Sequence, residues 1–183
     1  MTYINPDIKS SYQYNDLGRT LYDLVIKEKP EVVVDFGVLD GYSTIAMAMA
    51  CRDNGKGKVK AYDLFEKYEY THSELPRLVR HLKEYKLLEY VDIEEANFFD
   101  WVKNPGPFDL LHVDISNTGD IVDLMWEKLK DKGTVLFEGG SEERDRVGWV
   151  LKHNKKPICQ SVAKYEIINS KFPSISRLCN SNI

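Results

Sequence analysis

Two glycines and an acid stand at the turn between an apolar run and a helical pattern, in the segment DFGVLDGYST at 35–44. Glycine lets a backbone approach a ligand closely, and the first N–H groups of a helix hold negatively charged groups. Asp63 ends the next predicted strand, 28 residues after Asp35. Its carboxylate can accept two hydrogen bonds from the vicinal hydroxyls of a ribose. The glycine turn and Asp63 are therefore candidate ligand-binding positions.

The glycine pattern differs from two other nucleotide-binding motifs. Leu39 stands where the dinucleotide fingerprint Gly-x-Gly-x-x-Gly needs its second glycine, and no Gly-Lys-Ser/Thr follows, as a P-loop requires. An ordinary strand-to-helix turn also explains Gly37 and Gly41, and an acid at the position of Asp63 suits the ribose of NAD equally well. The motif alone leaves these alternatives open.

Candidate catalytic groups end the run FDLLHVD at 108–114. Asp114 closes this run and is predicted to be a site residue. His112 shares its side-chain parity because strand faces alternate, so one prediction is a His–Asp pair that acts as a base on a substrate hydroxyl. The other is that His112 is a hydrogen-bonded histidine inside the strand.

A loop after Asp63 and the end of the fifth apolar run supply further candidates. In the aromatic loop 64–73, Tyr68 and Tyr70 are expected to form a lid or substrate wall, with His72 as a second candidate base. The same aromatic side chains can equally pack back onto the domain.

Glu138 is expected to contact substrate or to make a hydrogen bond at its strand end. Together with Asp114 it offers oxygen ligands to a hard cation, but no third ligand is evident, so no metal is predicted. The run EERDR at 142–146 is interpreted as a solvated helical face.

Periodicity divides the chain into alternating helices and strands. Helices are predicted at 17–29, with Asn15 or Asp16 as cap, and around 43–51, 73–85, 121–133 and 142–152. Strands are predicted at 31–37, 58–63, 90–96, 108–114 and 134–137, and an antiparallel hairpin at 163–168 and 175–179. The alternation predicts an α/β fold with a doubly wound, mostly parallel sheet that binds ligands at the carboxyl ends of its strands.

These residues resemble the first motif of class I S-adenosylmethionine-dependent methyltransferases, in the branch of small-molecule O-methyltransferases. The likeness rests on Asp35-x-Gly37-x-x-x-Gly41 within VVVDFGVLDGYST and extends over about residues 18–179. It implies a Rossmann-like, seven-stranded fold and S-adenosyl-L-methionine as cofactor. The implied activity is methyl transfer to a small-molecule substrate, at oxygen.

The resemblance also implies roles for individual residues. Gly37 and Gly41 wrap the methionine part of the cofactor, with Ser43 near its carboxylate. Asn97 meets the edge of the adenine, where relatives usually carry an acid. The implied cofactor-binding residues are Asp35, Gly37, Val38, Gly41, Tyr42, Ser43, Asp63, Leu64, Asn97, Phe98 and Asp114. Metal-dependent relatives place an Asp-Asn pair near position 138, and that pair is missing here.

Composition bounds the remaining possibilities. The 183 residues include 25 Lys+Arg and 29 Asp+Glu, for a net charge of −4, which disfavours nucleic-acid binding. The length predicts a single domain over 1–183. Within it we expect an N-terminal extension 1–14, a cofactor-binding core 31–138 and a closing hairpin 163–179. No run approaches the roughly 18 apolar residues that a membrane helix needs. Three cysteines at unrelated spacings and a polar N-terminus predict a cytoplasmic protein.

Two other function classes remain open on the sequence alone. One is a different enzyme on the same scaffold, such as a nucleotide-sugar or NAD-dependent enzyme. The other is a non-catalytic binding module, since a fold does not establish activity. The chain has little beyond the core fold, so the site must be capped by the N-terminus, the 64–73 loop or a second subunit, and a homodimer stays open.

Overall fold

Seven strands form one sheet in the computed structural model, which describes residues 2–69, 74–146, 150 and 153–180. The strands are β1 (Val32–Phe36), β2 (Lys58–Asp63), β3 (Val91–Glu95), β4 (Leu110–Val113), β5 (Thr134–Glu138), β6 (Tyr165–Asn169) and β7 (Ile175–Leu178). Their order is β3-β2-β1-β4-β5-β7-β6. Neighbours pair in parallel except β7, which runs antiparallel to β5 and β6. The predicted doubly wound sheet with its closing hairpin is confirmed.

Helices cover both faces of the sheet. They are α1 (Leu17–Glu28), α2 (Tyr42–Asn54), α3 (Leu75–Glu84), α4 (Phe98–Trp101), α5 (Gly119–Leu129) and α6 (Glu142–Asp145). Helices α1, α2 and α3 share one apolar layer, and α4 and α5 share the other. Val33 faces the first layer and Val34 the second, as the two-residue period of a strand requires. Within the described ranges, no helix is both long and apolar enough to cross a membrane.

Three local predictions differ from the structure. Asp16 occupies the predicted N-cap position of α1, but its carboxylate accepts the Tyr3 hydroxyl at 2.6 Å instead of a helix N–H, and the Asn15 amide donates to the Phe172 carbonyl. Helix α4 was not predicted, since four residues are too few for a periodic pattern. The helix expected over 142–152 is described only as α6, and most of its remainder lies outside the described residues.

The strand order reverses between β1 and β4, and this point positions the chemistry. Phe36 pairs with Val113 in the β1–β4 register, so the next residues, Gly37 and Asp114, lie side by side. The Asp114 N–H donates to the Phe36 carbonyl at 2.8 Å, and the Gly37 N–H donates to the Tyr62 carbonyl at 3.1 Å. In open α/β sheets, ligands bind in the crevice at such a reversal.

Gly37 allows this close approach because it has no side chain. Its φ is +84°, and a Cβ added there would lie 1.8 Å from the carbonyl oxygen of Asp114. Any other residue would have to separate the ends of β1 and β4 or adopt a strained backbone.

We therefore expect Gly37→Ala to lower the free energy of unfolding by about 3 kcal/mol or more, since it adds both strain and a backbone clash. Gly106→Ala is the matched control, because nothing lies within 4 Å of a Cβ at Gly106. Denaturant unfolding of the two variants measures the difference. Equal stabilities would contradict this account of the switch point.

Candidate active site

A cavity of about 730 Å³ opens at the switch point. Its walls are the loops that follow β1, β2, β3 and β4, together with His153 and Lys155. A smaller pocket of about 60 Å³ lies beside it, between the N-terminal segment 9–12 and the turn into α2. Gly37 and Asp114 line both cavities, so they stand where the two meet. The combined space suits a mostly buried ligand of cofactor size.

The predicted site residues fall into separate groups in this geometry. The larger cavity is lined by Gly37, Asp63, Leu64, Tyr68, Asn97, Phe98 and Asp114. The smaller pocket is lined by Gly37, Val38, Tyr42, Ser43 and Asp114. The linings do not include Asp35, Gly41, His112 and Glu138. Tyr70 and His72 lie outside the described residues.

Asp63 fixes two loops at the cavity wall. One carboxylate oxygen accepts the Leu39 N–H at 3.0 Å and the other accepts the Phe65 N–H at 2.9 Å. Both donors belong to residues with left-handed backbone, at φ 48°, which these hydrogen bonds help to hold. Since each carboxylate oxygen has two lone pairs, Asp63 can also accept hydrogen bonds from a diol.

Aromatic side chains build the wall after β3. Phe98 is buried and packs edge-on against Phe36, with 5.3 Å between ring centroids. Asn97 is the N-cap of α4, and its side-chain oxygen accepts the Phe99 N–H at 2.8 Å. The cap orients the Asn97 amide at the cavity, where its nitrogen can still donate to a ligand.

Asp35 and His112 form a buried layer behind the site. They are directly paired residues of β1 and β4, both fully buried, with Asp35 Oδ1 and His112 Nδ1 2.8 Å apart. The other Asp35 oxygen accepts the hydroxyls of Ser43 at 2.8 Å and Thr44 at 2.6 Å. Asp35 therefore ties the first turn of α2 to β1 from inside the protein. This placement matches the expectation of a hydrogen-bonded strand histidine.

Tyr12 completes this layer, and sequence reasoning missed it. Its hydroxyl lies 3.0 Å from His112 Nε2, across 100 residues of chain, and its side chain is almost fully buried. Burial, and then the charge of Asp114, raises the pKa of Tyr12 well above its ordinary value, so the hydroxyl remains neutral. Burial opposes the charged form of His112, but the hydrogen bond to Asp35 and the negative charges of Asp35, Asp114 and Glu138 together outweigh it, so the pKa of His112 is raised. No local pattern around Tyr12 signals a partner so far away in sequence.

Asp114 is the titratable group that faces both cavities. It is partly exposed, and its backbone follows directly from β4. Burial, and then the charge of Glu138, raises the pKa of Asp114 to about 7, while His112 and Arg144 act in the opposite direction. A carboxylate with this pKa can accept a proton from a ligand at neutral pH.

Glu138 pairs with an arginine that the sequence analysis assigned to a solvated face. The Arg144 guanidinium donates to both Glu138 oxygens, at 2.8 and 2.9 Å, and both side chains are buried. The neighbouring pair Arg146–Glu142 is exposed, as predicted for this run. The prediction was wrong for Arg144 and Asp145, because their side chains turn inward, to Glu138 and to the backbone of Ile158 and Cys159, while the other side chains of the run stay exposed. In the described part of the chain, no group of three metal-ligating side chains occurs.

Tyr12→Phe tests the buried layer. Removing the hydroxyl leaves His112 Nε2 without its partner inside the protein, so we expect a loss of about 1–3 kcal/mol in the free energy of unfolding. Tyr22→Phe is the matched control, because the Tyr22 hydroxyl bonds Asp53, which keeps its ion pair with Arg52. Denaturant unfolding should show the smaller loss for the control. A loss for Tyr12→Phe no greater than for the control would contradict the importance of this contact.

Comparisons with known proteins agree with this geometry. The sequence profile of a family described as methyltransferase domain matches residues 34–138. A search of curated proteins finds no match to the sequence.

Solved structures share the fold over nearly the whole chain. An O-methyltransferase from Streptomyces achromogenes, TomG, in complex with SAM and involved in tomaymycin synthesis, is 18% identical with a TM-score of 0.61, covering 96% of this chain and 83% of its own. The SAH-bound methyltransferase PaMTH1 of Podospora anserina is 14% identical, with a TM-score of 0.64 and coverages of 96% and 80%. A Bacillus cereus O-methyltransferase in complex with SAH is 16% identical, with a TM-score of 0.60 and coverages of 97% and 84%. Since the matched profile spans more than half of the chain and includes the ends of β1, β2, β4 and β5, this protein belongs to the methyltransferase domain family.

Proposed function

We propose that this protein transfers a methyl group from S-adenosylmethionine to a hydroxyl of a small molecule, and that Asp114 accepts the hydroxyl proton. The observation that carries the proposal is the position of Asp114, which lines both cavities and has a pKa near 7. The likeness to O-methyltransferases crystallised with SAM or SAH supports the choice of cofactor and of oxygen as acceptor atom.

The residues present fit an adenosyl cofactor. Asp63 is assigned to the ribose hydroxyls, and Leu64, Asn97 and Phe98 to the adenine, because all four line the larger cavity. The smaller pocket takes the methionine end, beside Val38, Tyr42 and Ser43, all of which line it. Asp35 acts through its hydrogen bond to Ser43 rather than by contact with the cofactor. Gly37 lines both cavities. A Cβ at this position would collide with the Asp114 carbonyl where the two cavities meet.

The transfer step needs a base and an aligned acceptor. S-adenosylmethionine, when bound, would supply a methyl on a positively charged sulfur, with a neutral thioether as the leaving group as the new bond to oxygen forms. The proton of the hydroxyl passes to the Asp114 carboxylate. Positioning within the cavity supplies much of the remaining acceleration, as for other two-substrate reactions. Tyr68 is assigned to the acceptor wall because it lines the same cavity.

The pKa of Asp114 also favours one class of acceptor. A general base works best when its pKa lies near the operating pH, and it removes a proton more readily from a more acidic hydroxyl. A phenol-type hydroxyl, with a pKa of about 10, lies closer to the pKa of Asp114 than an aliphatic hydroxyl, whose pKa is far higher. We therefore assign the acceptor to small molecules with a phenolic or enolic hydroxyl.

Calorimetry with S-adenosylmethionine and S-adenosylhomocysteine between pH 6 and 8 tests the proposal. The positive sulfur favours ionised Asp114, so affinity for S-adenosylmethionine should fall by up to about tenfold for each pH unit below 7. Affinity for S-adenosylhomocysteine, whose sulfur is neutral, should change little. Asp63→Asn should weaken both ligands by about tenfold, because an amide offers one acceptor oxygen instead of two.

Asp114→Asn is the matched control for the pH effect, since it keeps the side-chain size but has no proton to lose. It should abolish the pH dependence and hold the affinity for S-adenosylmethionine at the low level that the wild-type protein has at pH 6. Affinity for S-adenosylhomocysteine should be retained, and NAD should not bind. Failure of a folded sample to bind either adenosyl compound would refute the proposed function. Binding without any pH dependence would leave the cofactor assigned and refute the role of Asp114.

A further inference from the structure

A buried arginine stands directly behind the carboxylates at the strand ends. The Arg144 side chain is 8% exposed, and so is that of Glu138. Beyond its two hydrogen bonds to Glu138, the guanidinium donates to the Asn117 carbonyl at 2.9 Å. Arg144 is thus held by β5 and by the loop after β4, the two elements that carry the acids of the site. Three hydrogen bonds in a planar fork fix its position closely.

The turn between β5 and α6 brings the Arg144 guanidinium back to the sheet. Gly139 and Gly140 follow Glu138 with φ of +109° and +101°, and a Cβ on Gly139 would lie 2.5 Å from Ile158 and 3.4 Å from the Arg144 side chain. Ser141 then caps α6 by accepting the Arg144 N–H at 3.2 Å. Asp145 anchors the same turn by accepting the backbone N–H groups of Ile158 and Cys159.

The charge balance explains why such a turn is useful. Val113 pairs with Phe137 in the β4–β5 register, so Asp114 and Glu138 follow side by side on neighbouring strands. Burial makes this region unfavourable for charge. A buried ion pair is costly to assemble and is a weak way to gain stability, so its presence calls for another role. A single arginine neutralises one of the two acids and leaves the other able to accept a proton.

The donor set does not fit a divalent cation. Hard cations take oxygen ligands, and both Glu138 oxygens already accept hydrogen bonds from Arg144. The Asn117 amide nitrogen donates to the backbone carbonyls of Val113 and Glu138, so only the side-chain oxygen of Asn117, which is buried without a hydrogen-bond partner among the described residues, remains as an oxygen ligand from this side chain. A divalent ion would therefore have to displace a guanidinium that is held at three points.

We propose that the Arg144 guanidinium is the built-in counter-cation of this site and occupies the place that a divalent cation would otherwise take between the strand-end carboxylates. This charge balance does not depend on the identity of cofactor or acceptor. One consequence does rest on the proposed function: the transfer step uses Asp114 as a base and proceeds without a divalent cation.

Manganese binding tests the proposal without any substrate. The signal of free Mn²⁺ in electron paramagnetic resonance is followed during titration at pH 8, where Asp114 is ionised, with thermal unfolding in Mg²⁺ as a second readout. The wild-type protein should bind no Mn²⁺ at this site and show no shift in its unfolding temperature. Arg144→Gln should gain affinity by about tenfold or more, because a positive charge next to both carboxylates is removed.

Three matched variants locate the effect. The double variant Arg144→Gln/Glu138→Gln should lose the gained affinity, and Arg144→Lys should not gain it, because the positive charge stays. Arg177→Gln is the control at a distant ion pair, because Arg177 pairs with Glu28 between β7 and α1. This variant should not gain affinity for Mn²⁺ either.

Two results would overturn the proposal. One is wild-type Mn²⁺ binding that Glu138→Gln abolishes, a measurement that needs no Arg144 variant to fold. The other is a folded Arg144→Gln protein with no gain in affinity. Neither result alters the calorimetry with adenosyl ligands, so failure here is distinguishable from failure of the proposed function.

Discussion

The contact between Gly37 and the carbonyl of Asp114 is the constraint on which the rest of the site depends. It exists because β1 and β4 pair in parallel with Phe36 opposite Val113, so both strands end at the same level. A side chain at position 37 would separate these ends and displace Asp114 from the junction of the two cavities. The missing Cβ of Gly37 thus holds Asp114 at the junction of the two cavities. Among the described residues, Asp114 is the only acid that lines both of them.

Behind this contact, a polar layer replaces what would otherwise be apolar core. Asp35 and His112 take the central positions of β1 and β4, and each finds its partners in another element, α2 or the N-terminal segment. Buried polar groups must be fully hydrogen-bonded to be tolerated, and here the layer is satisfied by hydroxyls and a histidine. The same hydrogen bonds fix where α2 begins and where the N-terminal segment crosses the site. The buried polar layer therefore positions the walls of the pocket.

The sequence predicts this fold well because its determinants are local. The strand expected at 58–63 is β2 itself, and the acid that ends it lines the cavity, since a short strand and its terminal residue are visible in a single window of sequence. The cap role of Asn97 and the burial of Arg144 were missed, because short helices give no periodic signal. Tyr12 could not be found at all, since its partner His112 lies 100 residues away and only the β1–β4 pairing brings the two together. Many cavity-lining residues were predictable, but Tyr12, which lines the smaller pocket and supports His112, and Arg144 were not.

The supporting residues nevertheless decide what Asp114 can do. An isolated aspartate is a weak base because its usual pKa is about 4, and burial alone would raise the pKa by desolvating the charge. Glu138 raises it further, while Arg144 and His112 restrain the increase, and the balance lies near neutral pH. Without Glu138 the carboxylate would be a poorer proton acceptor, and without Arg144 it would remain protonated at neutral pH. The base strength of Asp114 is therefore a property of three charged neighbours placed by β4, β5 and α6, and it follows from the fold rather than from the aspartate itself.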